Sequence, residues 1–371
     1  MTGDLLSPLW TSTEAPVLTL PQWESLLSQA RRARLAGRVA RLLADRGWLA
    51  QVPEGPRVHL DIALRQVRRQ HDEARWEADC IRRAIGHLPT PVVLLKGAAY
   101  VLADLPPARG RLFTDVDILV AREQLRAVEL ALFASGWIPG QLDPYDERYY
   151  RDLMHELPPM QHVERGSALD VHHTLTPPTS RFAVDARLLL ADARPLPGQP
   201  RLAVLAPADM VLHSAAHLMQ DGDFSAGQRD LLDVADLLQH FGRDAGFWPA
   251  LVRRAGVLRL ERPLRDVLVQ VQRLAGTEVP ADAQAALAAR APGGLRNRLM
   301  DRLLVAALRP DHPDCDRPGT GLARWLLYVR SHWLRMPWYQ ILPHLARKAF
   351  MRMSLRGGGK TAGRRAPGPA I

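Results

Sequence analysis

Apolar residues recur at helical spacing from Pro21 to Trp48, with Thr19 placed to cap the segment and Pro21 suited to its first turn. This predicts one amphipathic helix over 21–48 and a longer one over 57–86. The period then changes. Pro91 to Leu95 reads as a short buried strand and Gly97 to Ala103 as a short helix. Asp115 to Val120 reads as a strand and Arg122 to Ala134 as a helix. Met160 to Glu164 and Ala168 to His173 predict a β-hairpin turning through Arg165-Gly166-Ser167. Beyond the Pro-rich stretch Pro195 to Pro207, helical periodicity returns over about 208–220, 228–242, 246–256, 261–275, 281–291, 295–308 and 320–335. No repeat of fixed period is present. From Gly357 the chain is Gly, Lys, Arg and Pro without periodicity, the composition of a disordered tail.

The expected architecture is α+β. A small mixed β-sheet core (90–205) is preceded by an N-terminal helical segment (1–89), followed by a C-terminal helical domain (206–350), and ends in a basic tail (351–371). At 371 residues the chain is long for one core, which fits that division.

Charge changes this picture little. The formal net charge is +10, but Arg347, Lys348, Arg352, Arg356, Lys360, Arg364 and Arg365 all lie at the C-terminal end, with no acid among them. Basicity is thus a property of the tail and argues weakly for a nucleic-acid enzyme. The two cysteines, Cys80 and Cys315, form no metal-ligand cluster and no disulfide framework. Met1 to Pro16 lacks the basic start of a signal peptide, and no apolar run approaches the ~18 residues of a membrane span, so a cytoplasmic protein is expected. Residues 325–353 carry Trp325, Trp333 and Trp338 among Leu, Tyr and Arg. A membrane-surface helix would look like this, but Pro337 and Pro343 interrupt it, so a helix packing its Trp stripe on the body is favoured.

One composition detail does matter. Of 49 basic residues, only Lys96, Lys348 and Lys360 are lysines. Lys96 alone lies outside the acid-free basic stretch that begins at Arg347, at the end of the apolar run Val92-Val93-Leu94-Leu95. A compact ammonium and a planar guanidinium are not interchangeable beside phosphate, so a Lys held against such a bias points to a site that needs one.

The informative segment is Arg111-Leu112-Phe113-Thr114-Asp115-Val116-Asp117-Ile118-Leu119-Val120. Alternate residues of a strand share a face, so Asp115 and Asp117 point together while Val116 and Ile118 point away. Two carboxylates on one face repel, and burying them unpaired is costly. On their own they would read as a solvated strand edge. However, Leu169-Asp170-Val171-His172 repeats the alternation and offers Asp170 and His172 on one face. Placed side by side, the three aspartates suit two Mg²⁺ ions, which take oxygen ligands and clamp the attacking and leaving oxygens of a phosphoryl displacement. Lys96-Gly97-Ala98 runs from a strand into a helix, where Gly97 admits a phosphate and free N–H groups meet it. Lys96 and Arg111 supply cations for a triphosphate.

Lys96-Gly97, then Arg111-x-x-x-Asp115-x-Asp117-Ile118-Leu119-Val120, then Leu169-Asp170-x-His172 resembles the uncharacterised nucleotidyltransferase family of the DNA polymerase beta superfamily, over roughly 90–240. The resemblance implies metal-binding carboxylates at Asp115, Asp117 and Asp170, and transfer of NMP from an NTP with release of pyrophosphate. It also suggests a biosynthetic or tailoring role. Departures are Gly97-Ala98 where the superfamily usually has Gly-Ser, a longer gap from Gly97 to Asp115, and His173 where an aromatic commonly follows the family His. Downstream, His213 and His217 have the spacing of a zinc-protease helix, but Ser214 stands where its Glu would be, which argues against zinc. Arg229 and Asp233 are spaced to pair at i, i+4. His217, Arg229 and Asp233 also match a family pattern and, with His172, form a second tier of site candidates.

The expected function is therefore Mg²⁺-dependent transfer of NMP from an NTP to an acceptor, whether small molecule, peptide or saccharide. Two alternatives are a non-catalytic nucleotide sensor or partner-binding protein on the same fold and an RNA-modifying transferase anchored by the basic tail. The intact carboxylate set argues against the first. The lack of aromatic–basic interleaving in the body argues against the second.

Overall fold

The computed structural model describes residues 3–89, 91–140, 154–291 and 293–335. The sheet is built around β1 (Val92–Leu95), a run of four apolar residues all buried, as a strand covered on both faces requires. β1 pairs antiparallel with β2 (Asp115–Leu119) and parallel with β7 (Leu202–Val204). β2 pairs parallel with β5 (Ala168–His172). β3 (Trp137–Pro139), β4 (Met160–His162) and β6 (Arg194–Pro195) complete a mixed seven-stranded sheet of order β3-β4-β5-β2-β1-β7-β6. The expected hairpin forms between β4 and β5. β3, β6 and β7 were not expected. Each is two or three residues long, too short to show a period of two.

Helices flank the sheet as expected of an α+β protein. The segment 21–48 is not one helix. It breaks into α1 (Leu20–Arg32) and α2 (Ala36–Asp45), with Arg34 at φ +55° between them. The apolar spacing continues through the break because both halves bury the same side. α3 (Glu54–Ile85) runs 32 residues, and α4 (Lys96–Leu102) leaves β1 directly. α5 (Leu125–Ala134) and α6 (Ala186–Ala191) cover the sheet. Then come α7 (Pro207–Asp221), α8 (Gly227–Phe241), α9 (Phe247–Leu258), α10 (Glu261–Ala275), α11 (Ala281–Arg290), α12 (Gly294–Ala307) and α13 (Thr320–Arg335).

One apolar cluster runs from Ala78 on α3 through the whole sheet to Leu327 on α13, so sheet and C-terminal helices share a core. A second holds Trp23, Leu26, Leu35, Val39 and Leu43 of the N-terminal helices against Leu232 of α8. Gly110, at φ +83°, lets its loop lie on α2, where a Cβ would meet Arg38 Cα at 2.6 Å. That contact brings α2 beside the loop that carries Arg111.

Trp325 and Trp333 are not on the buried side of their helix. Trp325 and Trp333 are 58% and 47% exposed, while Ala323, Leu327, Ser331 and Leu334 are the buried side of α13. The small and aliphatic side takes the body, and the Trp residues stand on the other, where Arg181 covers the Trp333 ring at 4.6 Å. Trp338, the rest of 325–353 beyond residue 335, and the basic tail lie outside the described residues. Among the described residues no helix is long and apolar enough to cross a membrane.

Candidate active site

Asp117 and Asp170 are register partners on the parallel strands β2 and β5, and Asp115 is paired with Ala168 one step away on the same face. Val116, Ile118, Leu169 and Val171 bury the opposite face. Strand pleat alone thus gathers three carboxylates, as their spacing predicted. Their electrostatics register the crowding. Burial and the neighbouring Asp117 and Glu156 push the Asp170 carboxyl up to about 7. Burial and Asp117 push Asp115 up. Burial also works against the Asp117 carboxylate, but Lys96 and His172 outweigh it and hold Asp117 well below the usual carboxylate range. His172 Nε2 donates to Asp117 Oδ1 at 3.0 Å. Although burial opposes the imidazolium, that bond and Glu156 raise the His172 pKa. Adjacent carboxylates whose ionisation is opposed by burial and by one another are the donor set a divalent cation fits.

The cationic side of the site comes from the turn after β1. Leu95 is paired with Asp117, so Lys96 leaves the sheet beside the carboxylates, and its charge acts on both Asp115 and Asp117. Lys96 sits at φ +41°, a conformation costly for a residue with a Cβ and concentrated at functional sites. Gly97 also makes room for the side chains packed against the turn. A Cβ there would meet Arg111 Nη1 at 2.6 Å and Phe113 Cγ at 2.9 Å. Arg111 is buried, with its guanidinium between the rings of Tyr100 and Phe113, and Nε donates to Asp233 Oδ2 at 2.6 Å. Asp233 Oδ1 also accepts from Arg38 Nη2 at 2.7 Å, and Arg38 Nη1 reaches Asp236 at 2.7 Å. The expected Arg229–Asp233 pair does not form. Arg229 bonds its neighbour Asp230 at 2.6 Å, because Asp233 is turned inward to two buried guanidinium groups.

These groups surround a cavity of about 360 Å³ lined by Lys96, Gly97, Arg111, Asp115, Asp117, Asp170, His172, His217 and Arg229. Ala98 packs in the core below the turn, and Asp233 lies behind Arg111. His213 also lines the cavity. Burial and Lys96 hold both His213 and His217 neutral, well below the ordinary histidine range, and their rings stand 6.5 Å apart. Sequence reasoning missed His155, Glu156, Arg34 and Arg335, all of which line the cavity. Glu156 and His155 lie in an aperiodic stretch, and the Glu156–His172 bridge brings them to the sheet. Arg34 and Arg335 come from helix ends remote in sequence.

A family model described as an uncharacterised nucleotidyltransferase matches residues 20–276. The chain belongs to this family. The match extends beyond 90–240 in both directions, taking in α1 to α3 before the sheet and α9 and α10 after it. Within the span matched to this nucleotidyltransferase family, Arg38 of α2 bonds Asp233, which in turn bonds Arg111. Comparison with curated proteins and with solved structures finds no match.

Proposed function

We propose that this nucleotidyltransferase moves an NMP group from an NTP to a hydroxyl- or phosphate-bearing acceptor in a Mg²⁺-dependent step. The observation that carries the reading is the registered pair Asp117–Asp170 with Asp115 beside it, facing Lys96 across one cavity. Asp115, Asp117 and Asp170 would hold the metal, which supplies charge neutralisation at the triphosphate and at the attacking oxygen. Lys96 and Arg111 bind the phosphate oxygens as fixed cations, needing no reorganisation because Asp233 already holds Arg111 in place. Asp170, opposite Asp117 on the neighbouring strand, takes the proton of the acceptor hydroxyl. The acceptor oxygen bonds to the α-phosphorus as the bond to the β-phosphate bridging oxygen breaks, and pyrophosphate leaves. A small molecule, peptide or saccharide acceptor fits a cavity of this size better than a nucleic acid duplex.

The test is label transfer from each NTP with Mg²⁺ into cell extract, run with the label at the α- or the γ-phosphate. Incorporation of α-label alone, lost in Asp117→Asn, supports nucleotidyl transfer. Incorporation of γ-label would show a kinase reaction instead.

A further inference from the structure

His155 and Glu156 have no part in the nucleotide chemistry above, and His172 enters it only through its bond to Asp117. His155, Glu156 and His172 each bring one donor atom within 4.8 Å of the others. Glu156 Oε2 lies 3.4 Å from His172 Nδ1 and 3.8 Å from His155 Nε2. Both separations exceed the roughly 2.7–2.9 Å of a charge-assisted hydrogen bond. They are close to the ~3.3 Å between neighbouring ligands of a tetrahedral zinc ion with bonds of ~2.0–2.1 Å. His155 Nδ1 is buried and has no hydrogen-bond partner among the described residues, while its Nε2 stands 3.8 Å from Glu156. His172 completes the pattern at its far side. Its Nε2 donates to Asp117 at 3.0 Å, which leaves Nδ1 turned to Glu156. A metal-bound histidine is held in this way, one nitrogen on the ion and the other N–H on a carboxylate.

We propose that His155, Glu156 and His172 form a site for one zinc-type dication, distinct from the aspartate site. Two imidazoles and one carboxylate select a borderline ion such as Zn²⁺ over Mg²⁺, which prefers oxygen ligands. Three protein ligands leave a fourth position open, and all three residues line the cavity. Through His172 the ion is linked to Asp117, so its occupancy fixes the orientation of that carboxylate.

Cobalt tests this directly, because Co²⁺ replaces Zn²⁺ and absorbs in the visible when four-coordinate. The full chain is saturated with Mg²⁺ and titrated with Co²⁺. One equivalent should develop the d–d absorption of four-coordinate cobalt, and Zn²⁺ should abolish it while further Mg²⁺ does not. Outer-shell losses weaken metal sites 10–100-fold, so His155→Ala and Glu156→Gln should weaken cobalt binding by about 100-fold or more. His155→Gln keeps the polar volume should the Ala variant not fold. Asp115→Asn should retain the band. The proposal is overturned if Mg²⁺-saturated wild type gives no band, if His155→Gln and Glu156→Gln bind cobalt as wild type does, or if Asp115→Asn alone removes the band.

Discussion

Asp117 and Asp170 stand directly opposite each other on neighbouring parallel strands, one held ionised by Lys96 and His172, the other pushed up to about 7 by burial and by Asp117. Such a pair stores repulsion that a cation relieves. It also makes metal-free stability depend on pH. The folded Asp170 keeps a proton that the unfolded chain, with a carboxyl near 3.9, gives up. Its contribution is therefore fully present below about pH 4 and is lost as pH rises through 7. In metal-free buffer, Asp170→Asn should gain Tm relative to wild type as pH rises from about 4 to 7.5. Thermal melts at stepped pH check this, and a difference that stays flat or shrinks would contradict it.

Asp233 should matter more to the fold than any other acid near the cavity. It is 2% exposed and serves both Arg38 and Arg111. Asp233→Ala leaves the buried Arg111 guanidinium without its carboxylate and Arg38 with Asp236 alone, which costs about 3–5 kcal/mol. Arg229→Ala removes a pair with the adjacent Asp230 and leaves both Asp233 bonds in place, so it should cost less than Asp233→Ala. Urea unfolding of the two variants measures the contrast, and equal losses would refute the assignment of Asp233 as the anchor.

Gly97→Ala should weaken nucleotide binding through Arg111. The new methyl would have to displace Arg111 Nη1 and the Phe113 ring, at a cost of about 1–3 kcal/mol. Nucleotide titration alongside a melt should find affinity reduced in the folded variant. Unchanged affinity would mean that Arg111 does not touch the triphosphate.

Lys96→Arg should fail to restore what Lys96→Ala loses. The loss in the Ala variant should be about 1.5–3 kcal/mol of nucleotide affinity, the size of a charged hydrogen bond. The turn at φ +41° fixes where the side chain starts, and a longer planar head does not end at the same point. Titration of the three proteins in Mg²⁺ is the check, and wild-type affinity in Lys96→Arg would remove the requirement for an ammonium.

Much of the site was legible because it depends on strand pleat. Asp115, Asp117, Asp170 and His172 follow a period of two, and Lys96 follows a strand whose apolar run is plain. What could not be read depends on contacts across the chain. Asp233 looked set to pair with Arg229 because i, i+4 spacing is visible in sequence, whereas its partners Arg38 and Arg111 are remote. Glu156 reaches the site from an aperiodic stretch. The break at Arg34 was hidden because α1 and α2 bury a continuous apolar side, and a positive φ at an Arg leaves no mark in composition. The Trp residues of α13 were assigned inward because Pro337 and Pro343 argued against a membrane-surface helix, though the small and aliphatic residues of α13 are the ones that face the body.

The central claim is that the aspartates serve a metal–nucleotide complex and not the fold. Asp115 tests it most cleanly, since Asp117 also accepts a bond from His172. Thermal melts of wild type and Asp115→Ala are compared without metal and with Mg²⁺ plus each non-hydrolysable NTP analogue. Wild type should gain several degrees with at least one analogue. Asp115→Ala should melt at or above wild type without metal, because a raised carboxyl has been removed, and should gain nothing from Mg²⁺ and analogue. A large loss of stability in the metal-free variant, or a ligand-induced gain equal to that of wild type, would contradict the account.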